Sequence, residues 1–550
     1  MPGIDLDSLI SQQLASRISG HDTSVFVPPD APAAAHTLIR QRLGWLDAPT
    51  SMAARLAEVR DVVEGAATDH LTQVFLLGMG GSSLCAEVLR GVRPNESTGS
   101  QLTVLDTTDE RTIRQATDDL VPEKALFIVA SKSGSTIEVA SLERHFWAAM
   151  SQARGTSAGR HFVAITDPDT SLVALAASRK YRHTFTNPAD IGGRYSALSI
   201  FGLFPAALLG HHTDNLLNSA KAMAARCAED KAENPGLALG AFMATNAAVG
   251  RDKLTLLLPQ SLLGLGSWIE QLVAESTGKD GRGVLPVVGE PRGRLADYGA
   301  DRAFVAVTTP EVPCDLASAR RLEAAGHPVF YIEMTYAGLG AEFFRWEFAT
   351  AVAGAILGVN PFDEPNVRDA KVRTQALLDA RRATGAFRVE PPLEQQAGYL
   401  KREIQAVRPA DDPPPSGRYL ALLDFLPGEA WRSDFVGKIR TALRRRSGMA
   451  TTHGVGPRYL HSTGQYHKGG PNTGMFVILT ADDTVATPVP ETDYTFSMLK
   501  RAQALGDFEA LAAAGRDVVH YHIEDPSVNI SAQLERIVSM LRRQQRRPAR

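Results

Sequence analysis

Short apolar runs rich in β-branched residues recur along the chain, each bounded by Gly, Asp, Ser or Pro and followed by a stretch of helical periodicity. Val74 to Leu77, Leu102 to Leu105, Leu126 to Ala130 and Phe162 to Ile165 form one set. Leu254 to Leu258, Val284 to Val288, Phe304 to Thr308 and Val329 to Glu333 form a second. Tyr419 to Leu423, Met475 to Leu479 and Val518 to Ile523 form a third. Within the first set, spacings of roughly 20–35 residues leave room for a crossover helix between successive strands, which favours a parallel sheet with helices on both faces. The expected fold class is α/β: two doubly wound units over 1–210 and 211–378, and a C-terminal α/β segment over 379–550. The helical pattern from Thr213 to Asp230 would join the first two. Pro409 to Ser416, with three consecutive prolines, reads as a linker or exposed loop.

Composition narrows the function classes. At ~150 residues per domain, 550 residues imply two to four domains. A hydrophobic share of 44% with 22% charged residues excludes a mainly disordered chain. Fifty-eight basic against 61 acidic residues leave a net charge of −3, no sign of a nucleic-acid partner. The five arginines between Arg542 and Arg550 read as a solvated helix end. The longest nearly apolar run, Ala197 to Gly210, is too short to span a bilayer and contains Pro205, so no membrane partner is expected. Met1 to Gly20 carries Asp5 and Asp7 and does not read as a signal peptide. Cys85, Cys227 and Cys314 lie far apart and outside any CxxC, which excludes a disulfide framework or zinc ribbon and points to a reducing, cytoplasmic setting.

Two loops after predicted strands could hold a phosphate. Gly78-Met79-Gly80-Gly81-Ser82-Ser83 joins a strand to a helix, and its glycines let the backbone approach a ligand. It lacks the GK[ST] ending of a Walker A loop and the third glycine of a dinucleotide fingerprint. Ser131-Lys132-Ser133-Gly134-Ser135-Thr136, followed by Glu138, gathers four hydroxyls and a lysine at a helix start. One serine would suffice for a helix cap, so this cluster favours a phosphate dianion. Two such loops without a nucleotide motif suggest a sugar phosphate.

These loops resemble the sugar-isomerase (SIS) domain. Asp190-Ile191-Gly192-Gly193-Arg194-Tyr195-Ser196 is similar to the "GGRYS" signature of the glucose-6-phosphate isomerase family. Gln271-Leu272-Val273-Ala274-Glu275-Ser276-Thr277-Gly278-Lys279 resembles that family's "Q-x3-E-S/N-x-GK" segment, and Gly289-Glu290-Pro291 follows as it does there. The stretch from Asn360 to Lys371, with Phe362-Asp363-Glu364, resembles its "N-x-FDQ-x-GVE-x-GK" segment. The phrase from Leu265 to Thr277 and the third segment look most like the isomerase half of transaldolase–isomerase fusions. No transaldolase barrel is expected here. The resemblance implies two SIS-type domains and reversible isomerisation of glucose 6-phosphate and fructose 6-phosphate, with no metal and no cofactor. It leaves room for a homodimer.

By that resemblance Ser131, Lys132, Ser133 and Thr136 would bind the phosphate, and Gly81 and Ser82 would face the sugar. Gln271 would orient the substrate, and Arg194 would stabilise the intermediate. The family's ring-opening histidine follows soon after Gly-Glu-Pro, but Arg292 to Asp297 contains none. A similar segment comes much later, from Leu460 to Gly470, and aligns His461 with that histidine in permuted order.

The chemistry asks for the same residue types. Moving a proton between adjacent carbons through a cis-enediol needs one partly desolvated carboxylate, and Glu275 shares a helix face with Gln271 four residues earlier. A developing enediolate needs a fixed positive charge, which Arg194 supplies at every relevant pH. Ring opening needs an acid and a base near neutral pH, a role for His461 with Lys371 as donor or polarising charge. His520 and His522 alternate on a strand and read as edge or interface histidines. His211-His212 reads as a helix C-terminal cap. Isomerisation of another sugar phosphate, such as mannose 6-phosphate, or a non-catalytic sugar-phosphate sensor are the alternatives. A sensor needs the phosphate loops but not Glu275, Arg194 and Lys371.

Overall fold

A computed structural model describes residues 6–92, 100–312, 316–385, 387, 417–428, 432–483 and 485–523. Three parallel sheets carry the fold. The first contains β1 (Gln73–Gly78), β2 (Gln101–Leu105), β3 (Ala125–Ala130), β4 (Phe162–Thr166) and β5 (His183–Thr186), in the order β2-β1-β3-β4-β5. The second has β6 (Lys253–Leu257), β7 (Leu285–Val287), β8 (Arg302–Thr308) and β9 (Val329–Glu333), ordered β7-β6-β8-β9. The third has β10 (Tyr419–Phe425), β11 (Ala450–Val455), β12 (Gly474–Ala481) and β13 (Asp517–Ile523), ordered β11-β10-β12-β13. All three therefore repeat one winding: the second strand lies outside the first, and the third and fourth follow on its other side. Such a winding leaves a crevice at the carboxyl ends of its first and third strands, where ligands sit in open α/β sheets.

The expected α/β class and its strands are present, with two additions. Neither β5 nor β11 contains an apolar run: one reads His183-Thr184-Phe185-Thr186, the other Ala450-Thr451-Thr452-His453-Gly454-Val455. Each pairs with a single neighbour at the end of its sheet. β5 is only partly covered, so it needs few apolar residues, whereas β11 is largely buried and its Thr451 hydroxyl is satisfied by Glu290. The proline linker, the arginine tail and Cys314 lie outside the described residues.

Five helices position the site: α1 (Ile137–Arg154) after β3, α2 (Leu263–Thr277) after β6, then α3 (Leu339–Leu357), α4 (Val367–Thr384) and α5 (Phe496–Ala513). Each sheet falls within one of the three sequence segments, but the apolar core does not divide near residue 210. One cluster runs from Leu9 through Leu76, Ile165 and Leu254 to Phe362. The third segment packs on both others. Ala274, Leu285 and Val287 share a cluster with Tyr419, Leu423 and Tyr466, while Val489 and Phe496 join Phe75, Phe127 and Phe146.

Ion pairs reinforce these seams. The Glu290 side chain is buried, 3.1 Å from Arg302 and 3.3 Å from Arg444, and accepts from Thr451 N and Oγ1, each at 2.8 Å. Lys500 on α5 pairs with Asp109 at 3.0 Å and Asp483 at 2.8 Å. His520 and His522 lie 2.8 Å and 3.0 Å from Thr480 Oγ1, on one face as their alternation predicts. His211 Nε2 lies 2.9 Å from the Leu89 carbonyl, in the last turn of the helix Leu84–Gly91.

Candidate active site

The serine loop leaves β3 at its carboxyl end and winds into α1. Thr136 stands at the N-cap position with a side chain that does not cap the helix, so the first-turn N–H groups face outward. Ser133 Oγ accepts from Ser135 N at 3.3 Å and Ser135 Oγ at 3.2 Å. Ser133, Ser135 and Thr136 line a cavity of about 220 Å3 with Glu138, Lys371, His461 and Gln503. Ser131 is buried behind them, 3.1 Å from Thr136 Oγ1. Lys132 turns elsewhere: its ammonium pairs with Asp167 and donates to the Ala189 carbonyl.

The second loop makes a tight turn beside Gln271 and the His461 backbone. Gly80 has φ +55°, and a side chain there would meet Gln271 Nε2 and the His461 carbonyl. A side chain at Gly81 would collide with the Gly193 carbonyl, so this glycine lets the loop lie against the turn that carries Arg194. Gly81 and Ser82 are half-buried.

Gln271 and Glu275 share a face of α2, a helix whose second half is buried all round. They therefore face protein, not solvent. Gln271 Nε2 donates to the His461 carbonyl at 2.7 Å and to Glu275 Oε2 at 3.1 Å. Its Oε1 is buried without a hydrogen-bonding partner. Burial pushes the Glu275 carboxyl above its ordinary range; Arg194 opposes this, and the Glu364 charge adds to it.

Arg194 is fixed by its donors. Nε reaches Ser276 Oγ at 2.8 Å, Nη2 reaches the Pro361 and Asp363 carbonyls at 2.8 Å each, and Nη1 reaches Glu364 at 3.0 Å. Glu275 Oε1 lies 3.5 Å from the same Nη1.

His461 reaches this site from its own chain. Its Nε2 lies 2.9 Å from Glu138 Oε1, which also accepts from Gln503 Nε2 at 2.6 Å. Thr108 Oγ1 in turn donates to Gln503 Oε1 at 3.0 Å. Burial would raise the Glu138 carboxyl, but the His461 ring and its hydrogen bond hold it below the usual range. Lys371, on α4, is exposed at the cavity rim.

The structure thus places Ser133, Thr136, Lys371 and His461 on one cavity, and Gln271, Glu275 and Arg194 directly beyond the His461 backbone. The site draws on all three segments, because the third supplies His461 and Gln503. Packing of α5 and of the residues around Tyr466 against both other sheets brings them there. Sequence reasoning missed the role of Glu138, although an acidic residue in the first turn after a serine loop marks a carboxylate near an anion site. It also missed Gln503, Ser276 and Glu364. A larger cleft of about 1260 Å3 opens along β2 where the units meet; Gly289 and Pro291 line it, but none of the candidate site residues does.

Among the described residues no cluster of His, Cys, Asp and Glu could hold a metal ion, and no helix is long and apolar enough to cross a membrane.

Comparison with known proteins follows the same residues. The phosphoglucose isomerase family profile matches residues 51–284. A glucose-6-phosphate isomerase of Rubrobacter xylanophilus is 30% identical over 404 residues, covering 64% of this chain and 93% of that protein. One of Thermus thermophilus is 29% identical over 382 residues, 61% of this chain and 90% of the relative. Among solved structures, a hypothetical protein from Thermus thermophilus superposes with a TM-score of 0.56 at 26% identity, covering 68% of this chain and 96% of that one. A glucose-6-phosphate isomerase from Chlamydia trachomatis gives a TM-score of 0.55 at 18% identity, over 72% and 89%, and shares the fold. The chain belongs to the phosphoglucose isomerase family.

Proposed function

We propose that this chain interconverts glucose 6-phosphate and fructose 6-phosphate by ring opening and proton transfer through a cis-enediol. One observation carries the reading. The hydroxyl-lined start of α1, the His461–Glu138 pair and the Glu275–Arg194 pair converge on the two sides of one residue, His461. The phosphate sits at the α1 N-terminus, held by Ser133, Thr136 and first-turn N–H groups, with Ser131 fixing the Thr136 hydroxyl. His461, oriented by Glu138, exchanges a proton with the ring oxygen, and Lys371 contributes positive charge. Glu275 then takes the C2 proton of the open aldose, and charge moves onto O1. Arg194 faces that oxyanion. Return of the proton to C1, with the O2 proton passing to O1, gives the ketose. Gln271 orients the substrate, while Gly81 and Ser82 keep the sugar side of the loop low. Lys132, engaged by Asp167, acts through the loop's shape.

We divide the chain for this function as 1–210, 211–378 and 379–550, the third part closing the site. Every residue named comes from one chain, so a homodimer is not required to complete it. The buried free thiols of Cys85 and Cys227 fit a reducing, cytoplasmic setting. A sensor of sugar phosphates would have no use for a buried, elevated carboxyl beside an arginine. The test is a coupled assay with fructose 6-phosphate, with mannose 6-phosphate as comparison substrate. Turnover of fructose 6-phosphate to glucose 6-phosphate is expected. Binding without turnover would overturn the reading, and preferred turnover of mannose 6-phosphate would reassign the sugar.

A further inference from the structure

We propose that Glu364 is a positioning residue that shares the Arg194 guanidinium with Glu275, holding the arginine in place while leaving Glu275 free to take a proton. This inference deepens the isomerase reading and rests on it.

A guanidinium has five N–H donors. On Arg194, four are committed: to Ser276 Oγ, the Pro361 carbonyl, the Asp363 carbonyl and Glu364. The fifth is the second hydrogen on Nη1, and Glu275 Oε1 stands 3.5 Å from that nitrogen, beyond a proper hydrogen bond. The short contact thus goes to Glu364, whose side chain is 43% exposed, and the long one to Glu275, at 10%. A close pair between Arg194 and Glu275 alone would stabilise the carboxylate and weaken it as a base. Sharing avoids this, and it keeps one N–H beside the base for an oxyanion.

Sequence isolates the element responsible. The segment reads Phe362-Asp363-Glu364 where the signature it resembles has Phe-Asp-Gln. A glutamine could accept the same Arg194 hydrogen bond but would bring no charge. Charged groups act on both members of the pair. Arg194, Glu364, His461 and Lys279 face Glu275, and Arg194, Arg42 and Lys279 face Glu364. Lys279 is itself paired with Asp363 at 2.9 Å. Removing the Glu364 charge therefore leaves Glu275 facing a net excess of positive charge, which favours its ionised form.

The test compares Glu364→Gln and Glu364→Asp with the wild type in full pH profiles of kcat and kcat/KM, after circular dichroism has shown that each is folded. Glu364→Gln is expected to remain active with a similar KM, and its acid limb should move to lower pH by about half a unit or more. Glu364→Asp keeps the charge at shorter reach, so its limb should stay near the wild-type position while kcat falls. An unmoved limb in Glu364→Gln overturns the proposal, as does loss of activity in the folded Gln variant alongside an active Asp variant. The isomerase reading would survive either result. Absence of isomerase activity in the wild type would sink that reading instead.

Discussion

Nε2 of His461 lies 2.9 Å from Oε1 of Glu138, across 323 residues of sequence. The contact joins the third sheet's unit to the first helix after the serine loop. It also selects a ring geometry, because a carboxylate accepting from one imidazole nitrogen leaves the other as the proton acceptor or donor for a ligand.

Glu138→Gln tests that orientation. The amide can no longer act as acceptor to both His461 and Gln503 with the same strength, so the imidazole loses its fixed tautomer. Turnover of cyclic glucose 6-phosphate should fall by about 10²-fold, within the usual range for general acid–base catalysis. Isomerisation of an open-chain analogue should fall much less. Equal losses on both substrates, measured by progress curves, would remove His461 and Glu138 from ring opening.

How far the sequence disclosed this site depends on how local each relationship is. Gln271 and Glu275 are four residues apart on one helix, and Ser131 to Thr136 are contiguous, so their grouping is readable from spacing. Most strands announce themselves as apolar runs, whereas β5 is half exposed and β11 buries threonines that hydrogen-bond instead, so neither does. The acceptors that immobilise Arg194 include the Pro361 and Asp363 carbonyls, and backbone groups leave no signature in residue type. His461, placed by a resemblance in permuted order, is reached only through the packing of a third unit. Gln503, and the pairing of Glu138 with His461, follow from that same packing, which no local pattern encodes.

Phosphate affinity should depend on Ser133 more than on Ser131. Ser133 lines the cavity, while Ser131 lies behind Thr136. Ser133→Ala removes one hydrogen bond to a charged group, worth ~1.5–3 kcal/mol, or roughly ten- to a hundredfold in affinity. Titration calorimetry with 6-phosphogluconate reads this directly. Ser131→Ala should cost less, acting only through the Thr136 hydroxyl. The reverse ranking would show that the loop rearranges around the phosphate.

Stability at acid pH should depend on Glu290. Burial alone would raise this carboxyl, but Arg302, Arg440 and Arg444 hold it at about 2. Its unfolded value is about 4.3, so its contribution is fully present above that pH and is lost as pH falls toward 2. Glu290→Ala strands buried arginines at the seam between the second and third units and should cost ~3–5 kcal/mol at neutral pH. Urea unfolding at several pH values checks both points. A variant with a wild-type midpoint at pH 7 would mean that the seam is held by its apolar contacts alone.

The most direct prediction concerns Glu275. Glu275→Gln keeps the size of the side chain and can still receive the Gln271 amide, so substrate should bind through the α1 loop and Arg194 as before. The base is gone, and turnover should fall by at least ~10²–10⁴-fold. Exchange of the C2 proton with deuterated solvent should fall in parallel, because it passes through the same protonated carboxyl. The wild-type pH profile carries a matching sign. A base works only when ionised, so kcat/KM must rise with pH through the Glu275 value. Burial and the Glu364 charge set that value above the ordinary carboxylate range, so the acid limb should lie above about 4.3. Near-normal isomerase activity in Glu275→Gln, or wild-type turnover with no solvent exchange under slow conditions, would show that this carboxylate does not carry the proton.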